Sequence, residues 1–333
     1  MTIRDLRIDQ GWSQAELAER AGVSRQLVSA VESGRHEPGV SAAVALATAL
    51  GTSVEALFVA EPRTIPAASV LGGPIPPGSV RAGSVGGRVV VAPVSLLDEL
   101  DGVVAQGRWT GAELALDAGA PLASVVLAGC EPALGMLAAT VPDRAGGLWV
   151  KASSGEARAA LAAGTVHLAA VHDRADRLPD APDGVVAFEV ARWRVGVAFD
   201  PRRAGSAADA VGAGGPVVQR ERSAGTQAAF DRWVRRQHQA RPSGPRAAGH
   251  VEVCRMVGSG VAVAGVTAEP AAVAAGLGFE ALEEHVVRLW CPRSLLAERA
   301  VSDLMDRFTS AAFAHRLAAM PAYDLARLGT AVA

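Results

Sequence analysis

Between Glu61 and Gly87 the chain changes character. Five prolines (Pro62, Pro66, Pro74, Pro76, Pro77) and six glycines (Gly72, Gly73, Gly78, Gly83, Gly86, Gly87) crowd into this stretch. Proline fixes φ and lacks an N–H, and glycine adds conformational freedom, so a partly stiffened linker is expected here. Upstream, apolar residues recur at helical spacing; downstream, short apolar runs alternate with helical stretches. A chain divided in this way folds as more than one unit, and 333 residues are enough for two or three domains. Hydrophobic residues make up 50% and charged residues 20%, ample for buried cores.

The first unit reads as a string of short helices over residues 3–58. Ser13 followed by Glu16 is a capping box, in which the serine oxygen takes an orphan N–H and the glutamate reaches back. Leu17 and Ala18 face inward, Gly22 ends that helix, and Ser24 caps the next, which buries Leu27, Val28 and Val31 before Gly34 closes it. After Pro38, Ser41 is placed to cap a helix carrying Val44, Leu46, Ala47 and Leu50, and Ser53 opens a last turn with Val54, Leu57 and Phe58. Two short helices joined at a glycine are the mark of a helix-turn-helix.

The segment SQAELAERAGVSRQLVSAVESGRHEPGVSAAVALATALGTSVEALF resembles the Cro/C1 (XRE) family of DNA-binding domains, through Gln14, Leu17-Ala18, Gly22-Val23-Ser24, Glu32, Gly34 and Pro38. The resemblance implies a double-stranded DNA operator as partner, with residues 24–33 in the major groove. Arg25 and Gln26 then read base edges, arginine being suited to guanine and glutamine to adenine. Ser24 and Ser29 lie on the same helix, while Gln14 and Arg35 fall where phosphates are held. Ala30 leaves only packing on a thymine methyl, and Glu32 reads as a structural partner inside the motif. Residues 1–58 carry five arginines against seven acids. Nonspecific affinity should therefore be low, and a homodimer on paired half-sites is implied.

The net charge of −2 excludes a protein that coats nucleic acid by bulk charge. Lys151 is the sole lysine, so arginine richness reads as coding bias. MTIRDLRIDQGW lacks the apolar core of a signal peptide, and no apolar run reaches about 18 residues, so a cytoplasmic protein without a membrane partner is expected. Cys130, Cys254 and Cys291 are scattered and odd in number, against a disulfide scaffold.

Beyond the linker, Arg88–Val94 reads as a strand, and Val103-Val104 and Leu114–Leu116 as further ones, giving a small β-rich connector. The expected domains are thus residues 1–60, a linker and connector over 61–119, and a ligand-binding domain over 120–333. The last is a βα series: strands at Ser124–Ala128, Leu148–Ala152, Val166–Val171, a long run at Val185–Phe199, Val217–Arg220 and Val261–Val266, with closing helices at Leu295–Ala319. Polar residues sit at strand-to-helix turns (Cys130-Glu131, Ser153-Ser154, Ser223–Thr226), where open α/β sheets bind anions; the same residue types also serve as ordinary caps.

LAGCEPALGMLA, ASSGEARAALAAGTVHLAAVHD, RERSAGTQAAFDRW and MPAYDLARLG resemble a PBP-like domain related to periplasmic molybdate-binding proteins. The resemblance implies a multidomain chain: an all-α helix-turn-helix bundle fused to an α/β two-lobed domain of the periplasmic-binding-protein type II. It implies ligand contacts at Gly129, Cys130 and Glu131, at Ser153 and Ser154, at His172 and Asp173, and at Arg222, Ala224, Gly225 and Thr226. Tyr323, next to Asp324, either reaches the cleft or anchors the last helix. Cys130, Glu131, Ala224 and Gln227 depart from the oxyanion pattern, so a small organic anion fits as well as molybdate or tungstate. No other cofactor is expected.

The resulting expectation is a one-component transcriptional regulator with an anionic effector. The alternative is a regulator whose second domain only dimerises. A metal sensor would draw on Cys130, Cys254, Cys291, His167, His172 and His250, but no CxxC or HxxxH spacing supports it, and no metal site is expected. A transport receptor is at odds with the DNA reader. GxSxG, GxxxxGK[ST] and HExxH are absent, and no enzyme is expected.

Overall fold

The computed structural model describes residues 3–58, 62–100, 102–142, 144–237 and 241–332; Glu61, where the expected linker opens, lies outside them. The chain divides into two compact units, Met1–Ile65 with Leu114–Ala120, and Pro66–Glu113 with Pro121–Ala333.

The first unit contains α1 (Ile3–Asp9), α2 (Gln14–Ala21), α3 (Arg25–Glu32), α4 (Val40–Ala49) and α5 (Val54–Phe58). Local chemistry sets these limits. Ser13 and Glu16 close the capping box of α2, Ser24 Oγ accepts the Leu27 N–H at 3.1 Å, and Ser53 Oγ accepts the Ala56 N–H at 3.1 Å. The cap of α4 is Gly39 rather than Ser41, which lies inside the first turn. Ile3, Leu17, Val28, Leu46 and Leu50 form the buried core. Beneath it Arg7 Nε donates to Glu32 Oε1 at 2.6 Å, and Gln14 Nε2 donates to Glu32 Oε2 at 2.9 Å.

The expected linker is largely structured: β1 (Arg63–Pro66), β2 (Ala68–Ser69) and β3 (Gly78–Val85) lie in it. Prolines and glycines gather in the loop between β2 and β3, while β3 alternates inward at Val80 and Ala82. Gly83 is needed there because a Cβ would sit 2.6 Å from Val126 Cγ2. After β4 (Arg88–Pro93), α6 (Leu96–Leu100), β5 (Gly107–Trp109) and β6 (Glu113–Leu116), no strand forms at Val103-Val104. In the second unit β3 pairs antiparallel with β4 and β5, and β2 runs parallel to β4. Hydrogen bonds sew this small sheet to residues 121–165 of the same unit. Ser84 N donates to Ala123 O, Arg81 to Ala145 O at 2.7 Å, and Thr165 Oγ1 to Val70 O at 2.6 Å. The stretch 66–113 is therefore part of the larger unit and not a separate connector.

The rest of that unit comprises β7 (Val126–Ala128), α7 (Ala133–Ala138), β8 (Leu148–Val150), α8 (Ser154–Ala162), β9 (Leu168–Asp173), β10 (Val185–Phe199), α9 (Ala207–Gly212), β11 (Val217–Val218), α10 (Gly225–Arg236), α11 (His250–Gly258), β12 (Ala264–Ala268), α12 (Glu269–Ala274), β13 (Gly278–Pro292), α13 (Arg299–Phe308), α14 (Ala311–Ala318) and β14 (Ala331–Val332). The main sheet has the order β11-β12-β10-β13-β9-β7-β8, with β14 on β10. β10 and β13, fifteen residues each, run antiparallel along their whole length, from Val185↔Pro292 to Phe199↔Gly278. One end of that ribbon carries β9, β7 and β8; the other carries β12 and β11. Two lobes joined by paired crossing strands, the expected two-lobed α/β architecture, leave a cleft where the ribbon passes between them. Among the described residues no helix is long and apolar enough to cross a membrane.

Candidate functional site

On the first unit, Gln14, Arg25, Gln26, Ser29, Ala30 and Arg35 line one concavity of about 440 Å³. Arg25, Gln26 and Arg35 are exposed, and Ser29 and Gln14 are half-buried. Two guanidinium groups and two amides over an exposed helix face suit base edges and phosphates. Ser24 is the exception among the residues expected here, since its hydroxyl caps its own helix. Gln14 gives one amide N–H to Glu32, which leaves the second N–H to donate to a phosphate. Because Arg25 is exposed, Arg25→Ala should leave the melting temperature unchanged. It should cost about 1–3 kcal/mol of sequence discrimination at one base pair, read by fluorescence anisotropy on matched and mismatched duplexes.

In the second unit the cleft is built from turns of both lobes. β7 leads into Gly129, Cys130 and Glu131, β8 into Ser153, and β9 ends at His172-Asp173. From the other lobe come Arg220 after β11, Ala224–Thr226 at the start of α10, His250 at the start of α11 and Thr267 in β12. Trp193 of β10 and His285 of β13 stand on the ribbon between them. The imidazoles of His172, His250 and His285 pack around the Trp193 indole, with ring centroids 4.8–6.0 Å apart.

Several expected ligand residues are already engaged by the protein. The Gly129 N–H is given to Val150 O, and its carbonyl accepts from Trp149 Nε1. Glu131 is fully buried and accepts from Trp193 Nε1 at 2.7 Å, from the Ala133 N–H at 2.9 Å and from the Tyr323 hydroxyl. Its carboxylate is therefore held by three donors, and Tyr323 anchors the chain terminus to the first turn. Ser153 closes a capping box with Glu156, and Ser154 Oγ bonds both the N–H and the carbonyl of His172. Ser153→Ala should accordingly cost about 1 kcal/mol of stability as a lost cap, measured by urea denaturation.

Other polar groups are left open. Arg220, only 1% exposed, donates from NH2 to Ala248 O at 2.8 Å, and its NH1 lies 3.4 Å from His250 Nδ1. Its Nε has no hydrogen-bond partner, and neither have Thr226 Oγ1, His250 Nε2 or His285 Nε2. The nearest carboxylate oxygen paired with Arg220 is Glu221 Oε1, at 3.7 Å. At the cleft mouth a cavity of about 180 Å³ is lined by Ser154, Arg158, His172, Asp173, Arg222 and Gly225, among others. Arg222, Ala224 and Gly225 thus meet His172 and Ser154 there, whereas Gly129, Cys130, Glu131, Ser153, Thr226 and Tyr323, and with them Arg220, lie outside its lining.

The electrostatics follow from burial. Desolvation pushes the Cys130 thiol up to about 11 against the opposing pull of Arg220. Burial, reinforced by Arg220, takes His172 down to about 4, and burial takes His285 down to about 3. His250 is lowered for the same reasons. These imidazoles are neutral at pH 7. Cys130 Sγ lies 3.0 Å from His172 Nε2, and His172 Nδ1 lies 3.0 Å from His285 Nδ1.

Arg220, Trp193 and His285 are absent from the sequence-based site, and His250 entered the sequence reading only through the metal-sensor alternative. Sequence resemblance points to Arg222 in the RERS segment, yet it is Arg220, just past the apolar strand β11, that is buried. His285, set in the apolar run of β13, carries the same weak signal: a polar residue where only core residues are expected.

Residues 3–57 match a helix-turn-helix family, and residues 139–309 match a PBP superfamily domain. An uncharacterised HTH-type transcriptional regulator of Methanothermobacter thermautotrophicus is 45% identical over 58 residues, 17% of this chain and 84% of the relative. A hypothetical transcription factor from Neisseria is 42% identical, with a TM-score of 0.15; the alignment covers 16% of this chain and spans 58% of that one. The regulatory domain of MetR, a LysR-family regulator from Neisseria meningitidis, is 10% identical with a TM-score of 0.41, over 60% of this chain and 96% of that one.

Proposed function

The chain belongs to the helix-turn-helix transcriptional regulators and carries a PBP superfamily domain; from that premise we propose that its effector is a small anion bound in the cleft by Arg220 and Thr226. The observation that carries this reading is the buried guanidinium of Arg220 with its Nε–H unpartnered. A buried charge needs a counter-charge and full hydrogen bonding to be tolerated, and an unpaired buried donor is costly. Glu131 does not supply the bonds, because its oxygens are taken by Trp193, Tyr323 and Ala133. An anion accepting from Arg220 Nε and Thr226 Oγ1, next to the N-terminus of α10, would satisfy both, and the helix dipole favours the same charge. Oxyanions of the molybdate and tungstate type and small carboxylates share this chemistry.

The regulator binds DNA through α3, and we assign base reading to Arg25 and Gln26. Dimerisation is part of the proposal, since the weakly charged first unit gains operator affinity by pairing half-sites. Effector binding that closes the two lobes about β10 and β13 changes operator affinity by its differential affinity for the two states, about 1–3 kcal/mol in typical cases.

A thermal-shift panel of molybdate, tungstate, sulfate, phosphate and small carboxylates tests the reading. At about 100 times its dissociation constant an effector adds about 2.7 kcal/mol, a shift of several degrees. The shift should vanish in Arg220→Met and shrink in Thr226→Val. No shift with any anion in the wild-type chain would favour a second unit that serves for dimerisation alone.

A further inference from the structure

We propose that Cys130, His172 and His250 form a binding site for a soft monovalent metal cation, copper(I) being the biological candidate and silver(I) its redox-silent analogue. All three residues are at least nine-tenths buried, and their ligand atoms lie within 4.8 Å of one another. They come from a turn, a strand end and a helix start, far apart in the chain and on both lobes, which is why no spacing motif announces them. Thiolate and imidazole together select soft cations over oxygen-seeking ones. Metal–nitrogen and metal–sulfur bonds of about 2.0–2.3 Å ask the Cys130–His172 pair to open slightly from its 3.0 Å separation. His172 also lines the cavity at the cleft mouth, which gives an ion a route in.

The hydrogen bonds behind its ring favour His172 as the principal nitrogen ligand. With the Cys130 S–H donating to Nε2, the His172 ring proton sits on Nδ1 and is given to His285 Nδ1. His285 Nε2–H then faces Glu283 Oε2 at 3.6 Å and Asp173 Oδ1 at 3.9 Å. A ligating histidine whose other nitrogen donates into such a chain is fixed in tautomer and made more basic. Loading breaks the S–H bond, forms the sulfur–metal bond and releases the thiol proton to solvent, with no change in oxidation state.

His250 is placed differently. Its Nδ1 accepts the Ala268 N–H at 3.0 Å, so the ring proton occupies the unpartnered Nε2. Ligation there moves that proton to Nδ1, within 3.4 Å of Thr267 Oγ1, and costs the Ala268 amide its acceptor. His250 should therefore contribute less than His172.

Charge decides the class of ion. A thiolate with a monovalent cation carries the same net charge as the thiol it replaces. A divalent cation would add a full positive charge beside the Arg220 guanidinium, whose NH1 is 3.4 Å from His250. In a buried site that excess is expensive. The metal uses none of the Arg220 or Thr226 atoms assigned to the anion, so the two sites stand or fall separately.

The test is an anaerobic copper(I) titration of the reduced full-length chain against a chromophoric chelator, repeated with silver(I) and with zinc(II), with no DNA or effector anion present. The expected result is one equivalent of copper(I) per chain with thiolate-to-metal charge-transfer absorption. It should be lost in Cys130→Ser, weakened more than tenfold in His172→Gln, weakened less in His250→Gln, and kept in a Cys254→Ala, Cys291→Ala variant. Circular dichroism confirms that each variant is folded, and X-ray absorption on the wild-type chain reports one sulfur with nitrogen neighbours even if a variant is not. Failure to retain copper(I), undiminished binding in Cys130→Ser, or displacement of copper(I) by zinc(II) would overturn the proposal.

Discussion

Glu131→Ala should lower the stability of the second unit by about 3–5 kcal/mol, because it leaves three donors without their acceptor. The substitution strips an acceptor from three buried or half-buried donors at once: the Trp193 indole, the Tyr323 hydroxyl and the Ala133 amide. Each orphaned donor costs about 1–3 kcal/mol. The loss reaches beyond one turn, because Trp193 lies on the ribbon between the lobes and Tyr323 near the end of the chain. Scanning calorimetry should show the second unit melting about 10 °C earlier, at the usual 2–4 °C per kcal/mol for a unit of this size. Glu131→Gln keeps an oxygen acceptor and should fall between the two. A loss below 1 kcal/mol would mean that the carboxylate is not the keystone its contacts describe.

Glu32→Ala should abolish DNA binding although Glu32 reads no base. Its carboxylate, with its side chain 4% exposed, holds the Arg7 guanidinium at 2.6 Å and the Gln14 amide at 2.9 Å. Removing it leaves Arg7 without its counter-charge, again about 3–5 kcal/mol. A helical unit of some sixty residues has little more stability than that in total. Helical ellipticity and operator binding should therefore fall together, and the apolar pair Arg7→Met with Glu32→Leu should restore much of the ellipticity. Burial alone would raise the Glu32 pKa, but hydrogen bonds from Arg7 and Gln14 and the charges of Arg7 and Arg4 hold it below the ordinary glutamate value. The stabilisation is therefore complete above the unfolded value, near pH 4.3, and is lost as pH falls through the lower folded value. Acid titration followed by circular dichroism should show the first unit losing stability as pH falls below the unfolded glutamate value.

The first unit was legible because its signals are local. Ser13 with Glu16, Ser24, Gly22 and Gly34 mark helix ends within a few residues, and the apolar spacing fills in the rest. The two long strands of the second unit were half legible: Val185–Phe199 reads as a strand that could pass between lobes, while its partner at Gly278–Pro292 carries His285 and Arg288 in its apolar run and gives no clean period. The prolines and glycines between Glu61 and Gly87 pointed to a linker, yet β3 forms there, and its Gly83 is small because Val126 and Ala123 pack directly against it. The site turns on Cys130, Ser153 and Thr226 were readable as turns. What each side chain does there was not, since Ser153 is spent on Glu156 three residues away and Cys130 meets His172 only through sheet pairing. The choice between Arg220 and Arg222 is a matter of burial: Arg220 is enclosed just past β11, whereas Arg222 sits exposed in the turn before α10.

The central claim, that one chain couples operator reading to an anion in the Arg220 cleft, is tested most directly by linkage. Affinity for an operator selected from random duplexes would be measured by anisotropy on the full chain, with and without each anion of the panel, alongside Arg220→Met. The expected result is a 5–150-fold change in operator affinity with at least one anion, an equal change in that anion's affinity when operator is present, and neither in Arg220→Met. Operator affinity that stays the same with every anion in the wild-type chain would contradict it.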